Sequence, residues 1–171
     1  MMACLDVAYH ALEANAAAVL FHSWGDGAGE RVIVTRVPAP ADYRPGQFYL
    51  RELPCLLALV ALIGEPLEVL IVDGYVWLGE GNLPGLGAHL HAALGGAVAV
   101  IGVAKSPLAG ATSAIPVLRR GSRRPLFVTA AGMHVLVAAD HIETMHGEHR
   151  IPTLLKRADQ LSRSWQDERK G

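Results

Sequence analysis

Charge of either sign is scarce in this sequence, and so is cysteine. Acidic and basic side chains make up 18% of the 171 residues, 16 Asp and Glu against 15 Lys and Arg, for a formal net charge of −1. No global positive field exists to gather a polyanion, so a nucleic-acid partner has to be held by local patches. The 2 cysteines, Cys4 and Cys55, each sit in an apolar run. They read as buried thiols in a reducing compartment rather than as a disulfide framework. Long hydrophobic runs are absent: Leu56 to Ile63 is far too short to span a bilayer. Asp6 interrupts the apolar N-terminal stretch, so no secretory leader is expected and a cytoplasmic location is. There is no internal repeat, low-complexity tract or linker, and the length suits one domain over residues 1–171.

What is present is a globular composition, 51% hydrophobic, with a core large enough to need no disulfide or structural metal. Two basic patches stand out. Arg119, Arg120, Arg123 and Arg124 cluster around Gly121, and Lys156, Arg157 and Arg163 lie near the C-terminus. Each reads either as a phosphate-binding patch or as a solvated surface run.

Hydrophobic patterning gives a coarse element order. Met2 to Tyr9 reads as a buried strand, followed by a turn over Glu13 to Asn15 and a strand over Ala16 to Trp24. A glycine-rich loop from Gly25 to Gly29 leads to a third strand, Arg31 to Val37. Three strands with short connections predict an antiparallel meander. After a proline-rich connector from Pro38 to Pro45, helical spacing runs from Gln47 to Ile63. Leu67 to Val72 and Val98 to Val103 read as strands flanking a helix over Gly85 to Leu94, which predicts parallel strands with crossover helices. Short strands at Pro116 to Arg119 and Pro125 to Thr129 and helices at His134 to His146 and Thr153 to Gln166 complete the order. The expected class is α/β, an RNase H-like mixed sheet flanked by helices.

The acids are informative because of where they stand. Asp6 lies inside the first apolar strand, Asp73 ends the fourth, Glu52 sits among leucines on the first helix, and Asp159 is in the last helix beside Arg157. A buried carboxylate must be paired or bind metal. Taken singly, Asp6 reads equally as a structural partner for an arginine, Glu52 as a salt-bridge or capping acid, and Asp73 as half of an Asp-Gly turn. Taken together, four converging carboxylates make a hard oxygen site for Mg²⁺ or Mn²⁺. Such ions activate water and stabilise a leaving 3′-oxygen in phosphodiester cleavage.

Seven runs in order resemble the successive motifs of the endonuclease V family. They are Asp6-Val7-Ala8-Tyr9, the stretch from Tyr43 to Pro54, Val72-Asp73-Gly74, Gly85 to Leu90, Ile101 to Ser106, Arg124 to Val128, and His149 to Pro152 with its trailing Lys156 to Asp159. The resemblance implies an RNase H-like fold and a Mg²⁺-dependent endonuclease in DNA repair. Such an enzyme recognises inosine in DNA or RNA, cuts on its 3′ side, and leaves a 3′-hydroxyl and a 5′-phosphate. It implies Asp6 and Asp73 as primary metal ligands, with Glu52 and Asp159 completing the acidic cluster, and Lys105 near the scissile phosphate. It further implies Tyr43, with Arg44 and Pro45, as the wedge that fills the gap of an everted base. Gly102 is expected near the base pocket, Arg124 and Arg150 against nucleic acid, and His89 in a structural role. A monomer with no organic cofactor is expected.

One stretch departs from the family pattern. Val76 and Gly79 stand where a glycine and a histidine are usual, and a valine beside a flat base would crowd it. The chain also starts almost at the first strand, without the N-terminal extension many members carry. Two alternatives therefore stay open: a nuclease of the same fold with altered base or structure preference, and a non-catalytic nucleic-acid-binding protein. Three other signals are set aside. Gly79 to Gly85 lacks the spacing of a dinucleotide loop, and Ala104-Lys105-Ser106 lacks the glycine of a P-loop. His141, His146 and His149 with Glu143 and Glu148 lack a zinc-ligand pattern. Trp24, Trp77 and Trp165 read either as core or as nucleic-acid contacts.

Overall fold

The computed structural model describes residues 1–10, 12–38 and 49–164. A sheet of seven strands forms its centre: β1 (Met2–His10), β2 (Glu13–Phe21), β3 (Arg31–Pro38), β4 (Val69–Asp73), β7 (Ala99–Ala104), β8 (Ile115–Val117) and β9 (Leu126–Ala131). Between β4 and β7 the short strands β5 (Trp77–Leu78) and β6 (Leu83–Pro84) form a separate hairpin. The helices are α1 (Tyr49–Val60), α2 (Leu86–Ala93), α3 (Val135–Thr144) and α4 (Thr153–Arg163). Strand order across the sheet is β3-β2-β1-β4-β7-β9-β8. The meander β1-β2-β3 is antiparallel, β1, β4 and β7 are parallel, and β9 and β8 return antiparallel.

Strand alternation assigns each face its helices. Cys4, Val19, Ile71, Ile101 and Val128 point to the side covered by α3 and α4. Leu5, Ala18, Leu70, Val72 and Val100 point to the side covered by α1 and α2. Because side chains alternate with period two, Asp6, Asp73 and Lys105 inherit the α3–α4 side from Cys4, Ile71 and Val103. In the parallel register Leu5 pairs with Val72 and Asp73 with Val103, so Asp6 and Asp73 end up side by side where β1 and β4 stop pairing.

Several expected boundaries move. β2 begins at Glu13, because Asn15 pairs with Ala8 within the ladder instead of turning. It ends at Phe21, where the Asp26 carboxylate accepts the backbone N–H groups of His22 (3.2 Å) and Ser23 (2.8 Å) and folds the chain back. Trp24 therefore lies outside the strand and stacks on His141 at 4.1 Å. The expected strand at Pro116 to Arg119 is confined to Ile115–Val117, since Arg120 (φ 47°) and Gly121 (φ 74°) turn the chain towards β9. The β5–β6 hairpin has no counterpart in the patterning: Gly79, Gly81 and Asn82 all take positive φ to make its turn. Glycine at 79 thus serves a tight turn.

Candidate active site

Asp6 is half-buried, and its Oδ2 accepts a hydrogen bond from the Ser162 hydroxyl of α4. Asp73 Oδ2 receives the Lys105 ammonium at 2.5 Å. Asp159 Oδ1 is held by the Arg163 guanidinium at 2.9 Å, one turn further along α4. Asp6, Asp73, Lys105 and Asp159 line one cleft of about 280 Å³, with His149, Arg150 and Lys156 on its basic rim. Glu52 comes from the opposite face. It is carried by α1 and lines a neighbouring cleft with Asp6, Asp73 and Arg163. The two clefts share Asp6 and Asp73, so all four acids lie around the point where β1 and β4 stop pairing.

Their electrostatics record the crowding. Burial pushes the Asp6 carboxyl up to about 6; the charges of Asp159 and Asp73 add to this, while the Ser162 hydroxyl and Lys105 oppose it. Burial pushes Glu52 up to about 8, reinforced by Asp6 and Asp73 and opposed by Arg51. Tyr9, on the same side as Glu52, has a phenol raised by burial, and the Arg51 guanidinium lies 4.1 Å from its ring centre.

The donor set fits a hard divalent cation in chemistry: carboxylate oxygens that raise one another's proton affinity for want of positive charge. Among the described residues, no three His, Cys, Asp or Glu side chains already close on a point that holds an ion. Lys105 and Arg163 instead neutralise Asp73 and Asp159 from the rim.

The remaining expected residues divide. Lys105 directly follows β7 and reaches Asp73, while Arg150 donates to the carbonyls of Lys105 and Pro125, fixing the peptide that carries that lysine. Arg124 is exposed on the rim of a third cleft with Lys105 and Arg150. Gly102 is buried, and a Cβ there would lie 2.6 Å from the Gly74 carbonyl oxygen and 2.8 Å from the Val76 nitrogen. The chain's own 74–76 backbone therefore occupies the space that glycine leaves. Val76 does not crowd a cleft, contrary to expectation. Its side chain is fully buried against Gly87 of α2, and its N–H is donated to Thr129 Oγ1 at 2.8 Å. His89 stacks on Tyr49 at 3.7 Å, joining α2 to α1 as a structural residue. Tyr43, Arg44 and Pro45 lie outside the described residues, as does Trp165. Trp77 is tied to the sheet by its indole N–H, donated to the Ala130 carbonyl at 2.8 Å.

The arginine patch is not one surface. Arg119 is 1% exposed and turns inward, donating to the carbonyls of Glu143, Met145, Gly147, His149 and Arg150. Arg123 and Arg124 remain exposed. Patterning missed Ser162 as a contact of the Asp6 carboxylate and Arg119 as the buried support of the 143–150 backbone. A signal existed for Ser162, which lies one turn from Asp159 in the stripe Leu154, Ala158, Ser162, a polar residue on a buried face.

A mixed sheet in this strand order, with one acid in the middle of β1 and another at the end of the neighbouring parallel strand β4, defines an RNase H-like protein with an acidic site. Likeness to known proteins agrees and narrows the class. The family model for endonuclease V matches residues 1–145. An endonuclease V from Streptomyces avermitilis is 31% identical over 182 residues, covering 93% of this chain and 77% of that protein. One from Rhodospirillum centenum is 39% identical over 88 residues, 52% of this chain and 35% of that protein. The structure of Ciona intestinalis endonuclease V in complex with a 24mer DNA containing an inosine followed by a ribo-adenosine superposes with a TM-score of 0.77 at 18% identity, covering 99% of this chain and 86% of that one. The chain belongs to the endonuclease V family, a family of nucleases.

Proposed function

We propose that this chain, acting as one domain and as a monomer, is a Mg²⁺- or Mn²⁺-dependent endonuclease that hydrolyses the phosphodiester on the 3′ side of inosine in DNA or RNA. The observation that carries the reading is the meeting of Asp6, Asp73, Glu52 and Asp159 beside Lys105, in a member of the endonuclease V family. The DNA bound by the Ciona relative contains inosine, which supports the same base here.

Asp6, Asp73, Glu52 and Asp159 are the residues that would hold the cation. When bound, it supplies a water of lowered pKa and a counter-charge for the leaving oxygen. The chain's own groups do the rest. Lys105 exchanges Asp73 for a non-bridging phosphate oxygen and steadies charge that develops during attack. Arg150 keeps the Lys105 peptide in place through two carbonyls, and Arg124 offers a further cation to the strand. The water oxygen bonds to phosphorus, the bond from phosphorus to the 3′-oxygen breaks, and that oxygen leaves with a proton. The products are a 3′-hydroxyl and a 5′-phosphate. Tyr43, Arg44 and Pro45 supply the wedge beside the everted base, with Gly102 beneath the pocket floor.

The test uses end-labelled DNA and RNA strands with and without one inosine, incubated with Mg²⁺, Mn²⁺ or EDTA. Metal-dependent cutting at a fixed position 3′ of inosine is expected, and Asp6→Ala or Asp73→Asn abolishes it. Cutting without inosine preference replaces this reading with an altered-specificity nuclease. No cutting, with no Mg²⁺ or Mn²⁺ taken up in calorimetry, replaces it with a nucleic-acid-binding module.

A further inference from the structure

Ser162 sits on α4 with no solvent exposure, its hydroxyl on Asp6 Oδ2 and 2.9 Å from the Asp159 carbonyl oxygen. The helix turn that presents it is fixed from below. Asn15, buried in β2, donates its amide N–H groups to the carbonyls of Ser162 (2.8 Å) and Leu161 (3.3 Å). Asn15 shares its strand face with Val19 and Phe21, the face that α4 covers. The Asn15 amide thus gives two carbonyls at the end of α4 a side-chain donor, and the Leu161 carbonyl also accepts from the Ser164 hydroxyl at 2.8 Å. The chain of contacts therefore runs from β2 through the end of α4 to the carboxylate in the middle of β1. Asp159 lies one turn before Ser162 on the same helix, so the turn that Asn15 clamps carries one acid of the cleft, Asp159, and touches a second, Asp6.

We infer that Ser162, clamped by Asn15, is a positioning residue that orients the Asp6 carboxylate for the divalent cation. The inference rests on the metal reading of the four acids. A hydroxyl that donates to one carboxylate oxygen leaves the other turned outward and restricts rotation of the group. Partners of this kind typically contribute about 10- to 100-fold in metal affinity. Replacing Ser162 by alanine removes the donor and no packing volume beyond one oxygen, and its place on a buried stripe suits alanine.

Mn²⁺ binding is measured by calorimetry on wild type and Ser162→Ala without nucleic acid, together with cleavage across a Mn²⁺ titration. The expected result is a Kd raised about tenfold or more in Ser162→Ala, with cleavage at saturating Mn²⁺ returning to near wild type. Asn15→Ala is expected to act in the same direction. A general loosening of the fold would lower cleavage at every Mn²⁺ concentration and would overturn the positioning role. So would a Ser162→Ala protein that binds Mn²⁺ as tightly as wild type, a result that leaves the metal reading intact. Wild type that takes up no Mn²⁺ overturns the metal reading itself, and this inference falls with it.

Discussion

Lys105 occupies the position that decides what the acidic cluster does before a substrate arrives. Its ammonium lies 2.5 Å from Asp73 Oδ2, but the two side chains are 44% and 40% exposed. A pair that open to solvent contributes little stability, so the contact is easily exchanged for a phosphate oxygen. Lys105→Ala is therefore expected to lower inosine-strand cleavage by about 100-fold, the scale of one lost charge-stabilising donor. Mn²⁺ affinity should not weaken, because the substitution removes a competitor for Asp73. Calorimetry and cleavage assays on the same protein check both halves. A matching loss of Mn²⁺ binding would place Lys105 in the support of the ligands instead of beside the phosphate.

At the scale of elements, the site depends on a loop that has little structure of its own. The chain from Met145 to Pro152 joins α3 to α4, and four of its carbonyls, with that of Glu143 in the last turn of α3, converge on Arg119, whose pKa burial lowers. Among the described residues no carboxylate shares that bond set; the guanidinium is held by backbone oxygens. The loop in turn carries Arg150, which fixes the peptide of Lys105. Arg119→Met is expected to cost about 3 kcal/mol or more, because several buried carbonyls lose their donor at once, and to cut cleavage through Lys105. Arg123→Ala, exposed and a few residues away, should stay within about 0.5 kcal/mol of wild type. Urea midpoints separate the two, and faster amide exchange across 143–150 would locate the damage.

The same scale shows what patterning can and cannot read. The strands with continuous apolar runs, β1, β4 and β7, were legible, and with them the places of Asp6 and Asp73. Legible too was the change from a meander to parallel crossovers. Glu13 to Asn15 read as a turn because a short stretch with polar ends looks solvated; Asn15 is buried for the sake of α4, a contact 146–147 residues distant in sequence. Arg119 read as surface for a similar reason, since nothing local distinguishes an arginine that finds five carbonyls from one that finds water. Val76 read as an obstacle because its neighbours in the family motif suggest an open loop, whereas the missing side chain of Gly87 gives it a place in the core.

For the whole molecule, the acidic cluster couples stability to pH with a sign that is testable. Asp6 is pushed up to about 6 and Glu52 to about 8, mainly by burial and then by the carboxylates around them. Their unfolded values are the ordinary ones near 4. Between about pH 4 and pH 8 the folded protein therefore holds protons that the unfolded chain has released. Folding is favoured by protons over that window, so the stability of the metal-free protein falls as pH rises through it. A loss of a few kcal/mol by pH 8 is expected, since a tenfold difference in proton affinity between the folded and unfolded chain is worth about 1.4 kcal/mol. Divalent cation reverses the trend: it competes with those protons, so its stabilisation grows with pH. Urea unfolding at pH 5, 6.5 and 8, in EDTA and in Mg²⁺, measures both slopes. Asp6→Asn should flatten the EDTA slope and raise stability at pH 8, because it removes one of the mutually repelling charges. Parallel slopes with and without Mg²⁺ would mean that the cation does not bind among these carboxylates, and that their crowding is relieved by Lys105 and Arg163 alone.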